Sequence, residues 1–135
     1  MPHLVILYTP NLDSQVDMKG LCRALADTML EVRDEDGKQV FPTGGTRVLA
    51  YPAAHYAVAD GQGDYSFAYF NIRMAAGRSD ATKKRAGDAL LARARPYFES
   101  AFAKNPGGLT LQIDESPGQV YDGKFSTLHP LFNKS

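Results

Sequence analysis

The stretch YSFAYFNIRMAAGRSDATKKRAGDALLARA, residues 65–94, decides the fold. Its first half, 65–76, is rich in aromatic and apolar residues and reads as a strand. Gly77 breaks the run, and Ser79 stands where a helix N-cap belongs. Beyond it, Ala86, Leu90, Ala94, Tyr97 and Ala101 recur at helical spacing and form one stripe. Pro96 lies well inside this segment, which predicts a kink or a restart there. GLTLQIDE (108–115) then alternates, with Leu109, Leu111 and Ile113 on one strand face. The order is strand, helix, strand.

The same order occurs upstream. HLVILY (3–8) is a continuous apolar run, as expected of a strand covered on both faces. TPNLD breaks it, and Asp13 or Ser14 is placed to cap a helix. Met18, Leu21, Cys22, Leu25, Met29 and Val32 form its stripe, and RDEDGKQ is a charged exit around Gly37. After the turn FPTGG, TRVLAYPAAHYAV (46–58) reads as a strand that Pro52 confines to an edge or a bulge. DGQGD (60–64) reads as a turn, since one short acidic-glycine stretch is a poor metal signature.

Setting Ser14 on Ser79 gives an offset of 65, which also places Leu25 on Leu90, Val32 on Tyr97 and Val48 on Ile113. Matches at one offset point to two copies of one unit. Each helix is then a β-α-β crossover between parallel strands. The expected architecture is α+β: a tandem β-α-β repeat forming a four-stranded mixed sheet with two helices on one face. The chain reads as a single domain, 1–135, with units at about 2–57 and 65–116. A tail, 117–135, carries a short strand or helical turn near LHPLF. The polar positions do not repeat. Pro2 falls on Phe67, Asp13 on Arg78, and Arg47 on Gln112. A polar set divided in this way builds one composite site per chain rather than two.

With 135 residues, 44% hydrophobic and 22% charged, the chain is of the soluble globular class. Fifteen basic residues balance fifteen acidic ones, which argues against nucleic-acid or membrane-surface partners but not against a local cationic pocket. Cys22 is the single cysteine, so no internal disulfide forms, and no metal-ligand cluster includes it. No apolar run approaches the ~20 residues of a membrane span, and no signal peptide precedes the first strand. A cytoplasmic location is expected.

GRSDATKKRAGDALL resembles the strand-to-helix segment of the tautomerase superfamily, including the small 4-oxalocrotonate tautomerases, and TRV (46–48) resembles its arginine-bearing second strand. MPHLV, FPTGGTRV and ADGQGDYSFAYFNIRMAAGRS are similar to the 5-carboxymethyl-2-hydroxymuconate isomerase family, whose members fuse two such units. The resemblance runs from Pro2 to about Glu115 and weakens over Glu31–Gln39 and the tail. It implies a homotrimer and a cofactor-free isomerase of aromatic-acid (homoprotocatechuate) catabolism. It also implies an amino-terminal proline as general base, exposed by removal of Met1, and arginines that hold a di- or tricarboxylate substrate. Carried over residue by residue, these are Pro2 as base and Arg47 and Arg78 as substrate-binding residues. No metal ligands are implied.

These residue types suit that chemistry. A base works best with a pKa near the operating pH. An α-amino group begins near ~7.7–8.0 in model peptides, and a secondary amine is more basic. Apolar walls and neighbouring guanidiniums both lower it. Arginine grips carboxylates through two charge-assisted bonds, and Arg78 stands at a helix start, where an anion is also favoured. Each residue has a plainer reading: Met-Pro starts are common, Arg78 could be a solvated cap neighbour, and Arg47 could form a surface ion pair. Arg73 reads as structural or interfacial. His3 points away from the Pro2 face by alternation, and His55 and His129 stand without ligand spacing. A sheet with helices on one face leaves an apolar face open, and wrapping around a threefold axis would cover it. Other activities of the superfamily, such as a phenylpyruvate-type tautomerase or a dehalogenase, remain alternatives. So does a non-catalytic trimer that binds small acids.

Overall fold

Strand alternation sorts the sheet residues into two faces. In the computed structural model, which describes residues 3–132, Leu4, Ile6 and Tyr8 of β1 (His3–Tyr8) point to one side and are buried. Ser66, Ala68, Phe70, Ile72 and Met74 of β3 (Ser66–Ala75) are buried on the same side. The strands β2 (Arg47–Pro52) and β4 (Gly107–Ser116) lie at the two edges, giving the order β2-β1-β3-β4. β1 runs parallel to β2, β3 runs parallel to β4, and the central pair β1–β3 is antiparallel. The helices α1 (Met18–Glu31) and α2 (Asp80–Lys104) are the two crossovers and share one hydrophobic core with the buried strand face. This is the expected α+β sheet, mixed in direction and covered on one side.

The helix starts follow capping chemistry. Asp17, not Asp13 or Ser14, caps α1, accepting from the Gly20 N–H at 3.0 Å. A 3-10 turn at Pro10–Leu12 lengthens the connection, and Asp13 instead accepts from the Tyr8 hydroxyl at 2.7 Å. Burial and that bond push the Tyr8 hydroxyl up to about 12. Ser79 caps α2 as expected, accepting from the Thr82 N–H at 3.1 Å. α2 does not restart at Pro96. The ring sits on the exposed side, so the carbonyl it leaves unpaired faces water.

Other expectations shift by a residue or a turn. The buried stripe of α2 is Ala86, Leu90, Ala94, Phe98 and Ala101, while Tyr97 is only half-buried. Phe98 packs against Phe70 and Phe102, with ring centroids at 6.0 and 5.4 Å. Cys22 is half-buried rather than in the core. β2 stops at Pro52 instead of continuing to Val58. Ala53 donates one last bond to the Tyr8 carbonyl at 2.8 Å before the chain leaves the sheet. The single offset also breaks. It matches buried Leu25 to Leu90, and Val48 to Ile113 on the core side. In the first strands it sets buried Leu4 on Tyr69, which points to the opposite face. β1 and β3 require an even offset, β2 and β4 an odd one.

The tail crosses the surface without a strand and ends in the short helix α3 (His129–Phe132), packed on the 3-10 turn Thr43–Gly45. The approach is close. A Cβ on Gly44 would lie 3.0 Å from the His129 Cα.

Truncating Phe98 removes a ring that is 1% exposed between both helices' core and the sheet. Phe98→Ala should cost about 3–5 kcal/mol in urea unfolding. Tyr97→Ala, at the position the periodicity favours, should cost clearly less.

Candidate active site

Registry brings the polar residues to one end of the sheet. His3 pairs with Arg47 on one side and Arg73 on the other, and Arg73 pairs with Asp114. Cross-strand partners share a face, so Arg47, His3, Arg73 and Asp114 form one row across the open face. Pro2 immediately precedes this row in sequence and lies outside the described residues.

Arg47 stands at the start of β2, half-buried, and its Nη1 donates to His3 Nδ1 at 3.4 Å. Burial, then the Arg47 charge, lowers the His3 pKa below its ordinary value, so the imidazole is neutral near pH 7 and able to accept. This bond leaves the ring proton on Nε2. His3 therefore orients Arg47, a role that alternation alone did not reveal.

Arg78 lies elsewhere, in the turn between β3 and α2. Its Nη2 donates to the Val40 carbonyl at 3.1 Å, and its Nη1 stands 3.5 Å from Asp34 Oδ2. About a third of its side chain is exposed, into a cavity of about 160 Å³ walled also by Phe41, Gly45, Met74 and His129. His129 stands without ligand spacing in the sequence, but the tail carries it into this wall, where its Nε2 is buried without a hydrogen-bond partner among the described residues. A second cavity, of about 430 Å³, contains His3, Arg73, Gln119 and Asp122. Met74 and Ala75, the last residues of β3, line both cavities. Arg47 and Arg78 thus reach the same end of the sheet, Arg78 on the smaller cavity and Arg47 beside His3. Phe70 is in the core. Phe67 lines a separate apolar cavity with Leu7 and Tyr56 at the opposite end.

The α2 start is pinned on both flanks. Lys83 Nζ stands 3.2 Å from Asp80 and 3.1 Å from Glu115 at the end of β4, and these carboxylates raise its pKa. On the other flank, Glu35 accepts from the Ser79 and Thr82 hydroxyls. Two donors hold the exposed Glu35 carboxyl down to about 2. Among the described residues, no three His, Cys, Asp or Glu side chains converge on a metal site, and no helix is long and apolar enough to cross a membrane.

The chain is thus an α+β protein of paired β-α-β units around one mixed sheet. Its fold is shared with a fused 4-OT protein solved as an asymmetric trimer, 15% identical, with a TM-score of 0.60 over 97% of this chain and 99% of that one. The chain belongs to the 5-carboxymethyl-2-hydroxymuconate isomerase family, whose model matches residues 2–132. It is similar to a crystal structure of 5-carboxymethyl-2-hydroxymuconate delta-isomerase, at 55% identity and a TM-score of 0.94, covering 100% of this chain and 95% of the other. A 5-carboxymethyl-2-hydroxymuconate isomerase from Deinococcus radiodurans R1 is 32% identical, with a TM-score of 0.84 and coverage of 98% and 95%. The Escherichia coli 5-carboxymethyl-2-hydroxymuconate Delta-isomerase is 25% identical over 132 residues, 98% of this chain and 99% of that protein.

The His3 pKa lies below its ordinary 6.5 in the folded chain. The unfolded chain therefore takes up this proton first as pH falls, and the stability present above pH 6.5 is lost toward acid. Urea unfolding between about pH 7 and pH 5 should weaken with acidification, and His3→Asn should flatten that slope.

Proposed function

We propose that this chain isomerises 5-carboxymethyl-2-hydroxymuconate to its conjugated 2-oxo form, in the catabolism of aromatic acids. The observation that carries this reading is the 55% identity to a delta-isomerase over the whole chain, with Arg78 facing a cavity at the end of the sheet where β1 begins. The other superfamily activities and the non-catalytic reading have no comparable support.

The substrate is a tricarboxylate dienol. Pro2, as a free secondary amine once Met1 is removed, takes the proton from the 2-hydroxyl. The oxygen lone pair becomes the 2-oxo double bond, the diene electrons shift along the chain, and the Pro2 ammonium returns a proton at C5. Atoms and charge balance without a cofactor. Arg78 grips a substrate carboxylate, its fork suited to two charge-assisted bonds. Arg47, oriented by His3, donates to the charge developing on the 2-oxygen, where fixed donors lower the barrier.

The assembly that fits this reading is a homotrimer. Leu7, Leu49, Tyr51 and Phe67 remain 36–48% exposed on the open face, a contiguous apolar surface that calls for a cover. The fused 4-OT protein of the same fold is a trimer. The pseudo-repeat units and the single domain read from the sequence fit the same plan, with one composite site per chain. The catalytic step involves no membrane and no nucleic acid, and a cytoplasmic enzyme suits it.

Pro2→Ala should lower turnover about a hundredfold or more with an unchanged circular dichroism spectrum, and wild-type protein should show the intact mass of the chain less Met1. Near-normal turnover in Pro2→Ala, or retained Met1 in active protein, overturns the role of the amine. Sedimentation equilibrium should give the mass of three chains, and Leu49→Glu should shift it toward one.

A further inference from the structure

The charged stretch RDEDGKQ, residues 33–39, has no part in the proposed reaction. It lies in one of the two segments where the sequence resemblance weakens, and the structure folds it into a hairpin. Arg33 and Gln39 form an isolated antiparallel bridge, and the Asp34 N–H donates to the Lys38 carbonyl at 2.9 Å. Gly37, at φ +77°, makes the reversal that L side chains rarely permit. One oxygen of Asp34 is used inside the turn. Oδ1 accepts the backbone N–H groups of Asp36 and Lys38, each at 2.9 Å. The other oxygen, Oδ2, faces Arg78.

The contacts continue along one side of the α2 start. Arg78 reaches Asp34 and the Val40 carbonyl, Ser79 and Thr82 donate to Glu35, and Arg85 Nη2 donates to the Arg33 carbonyl at 3.2 Å. Thr82 is fully buried, so its hydroxyl needs an acceptor inside the protein, and Glu35 supplies it. Arg78 has little local restraint. It follows Gly77, at φ +114°, and both hydrogen-bonding partners of its guanidinium come from the hairpin side, about forty residues earlier in the chain. The Asp34–Arg78 pair, at 3.5 Å and part-exposed, is long for an ion pair. Such a pair fixes direction without saturating a fork that has five donors.

We propose that the hairpin 33–39 is a clasp that aims Arg78 at the substrate carboxylate, with Asp34 and Glu35 as its positioning residues. Asp34 holds the guanidinium directly. Glu35 acts one step back, locking the hairpin to the first turn of α2. The inference rests on the reading of Arg78 as the carboxylate-binding group.

The test compares Asp34→Ala, Glu35→Ala, Glu35→Gln and Arg78→Ala, using the tricarboxylate dienol and a monocarboxylate enol such as enol-phenylpyruvate. Asp34→Ala and Glu35→Ala should each raise KM for the tricarboxylate roughly tenfold, with kcat and the monocarboxylate KM within about twofold. Glu35→Gln can still accept from the Thr82 hydroxyl through its amide oxygen while its NH2 donates to the Ser79 hydroxyl, and it should recover much of the loss. In an Arg78→Ala background, Glu35→Ala should add nothing, because the group it aims is gone. If Arg78→Ala weakens tricarboxylate binding while the two clasp variants melt lower but keep their KM, the clasp is structural only and the proposal fails alone. Equal KM rises for both substrates overturn it as well. If Arg78→Ala leaves the tricarboxylate KM unchanged, the reading of Arg78 fails and takes the clasp with it.

Discussion

The antiparallel pairing of β1 with β3 is the constraint on which the rest depends. Each β-α-β half can bury only one face of a two-stranded sheet, and a two-stranded piece is marginal in water. Joining the halves through β1 and β3 makes one four-stranded surface on which both helices rest and share a single core. The same pairing sets chemistry. Because β1 and β3 run in opposite directions, the start of β1 meets the end of β3, and the turn carrying Arg78 emerges beside His3. Parallel pairing at that seam would have placed these groups at opposite ends of the sheet.

Much of this was legible locally. Strand runs, the Ser79 cap and the apolar stripes follow from periods of 2 and 3.6 residues, and those periods survive folding because each element buries one side. The misses were also local in origin. Ser14 has the right chemistry for a cap, but the Pro10–Leu12 turn postpones the helix to Asp17. Tyr97 and Phe98 are adjacent, and only the packing against Phe70 tells which one turns inward.

Of the candidate site, the sequence pointed to the arginines and not to their surroundings. Arg78 stood out beside Gly77 and Ser79, and Arg47 stood out in a strand. Their partners did not. His3 lies 44 positions from Arg47, and Asp34 lies 44 positions from Arg78. A charged run such as RDEDGKQ reads as a solvated surface, since nothing in it announces which distant donors it will meet. His129 is the same case, a histidine without neighbours in sequence that the tail brings against Gly44 and the wall of the Arg78 cavity.

The pleat of β1 limits how this chain can change over evolution. Leu4, Ile6 and Tyr8 enter the core while Val5 and Leu7 lie on the reverse side. Deleting or inserting a single amino acid within those six positions would turn over every residue on one side of the change, taking His3 off the face it shares with Arg47 or Ile6 and Tyr8 out of the interior. Variation in length is therefore confined to connections such as 53–65, while the opening segment tolerates exchange of side chains but not a change in their number.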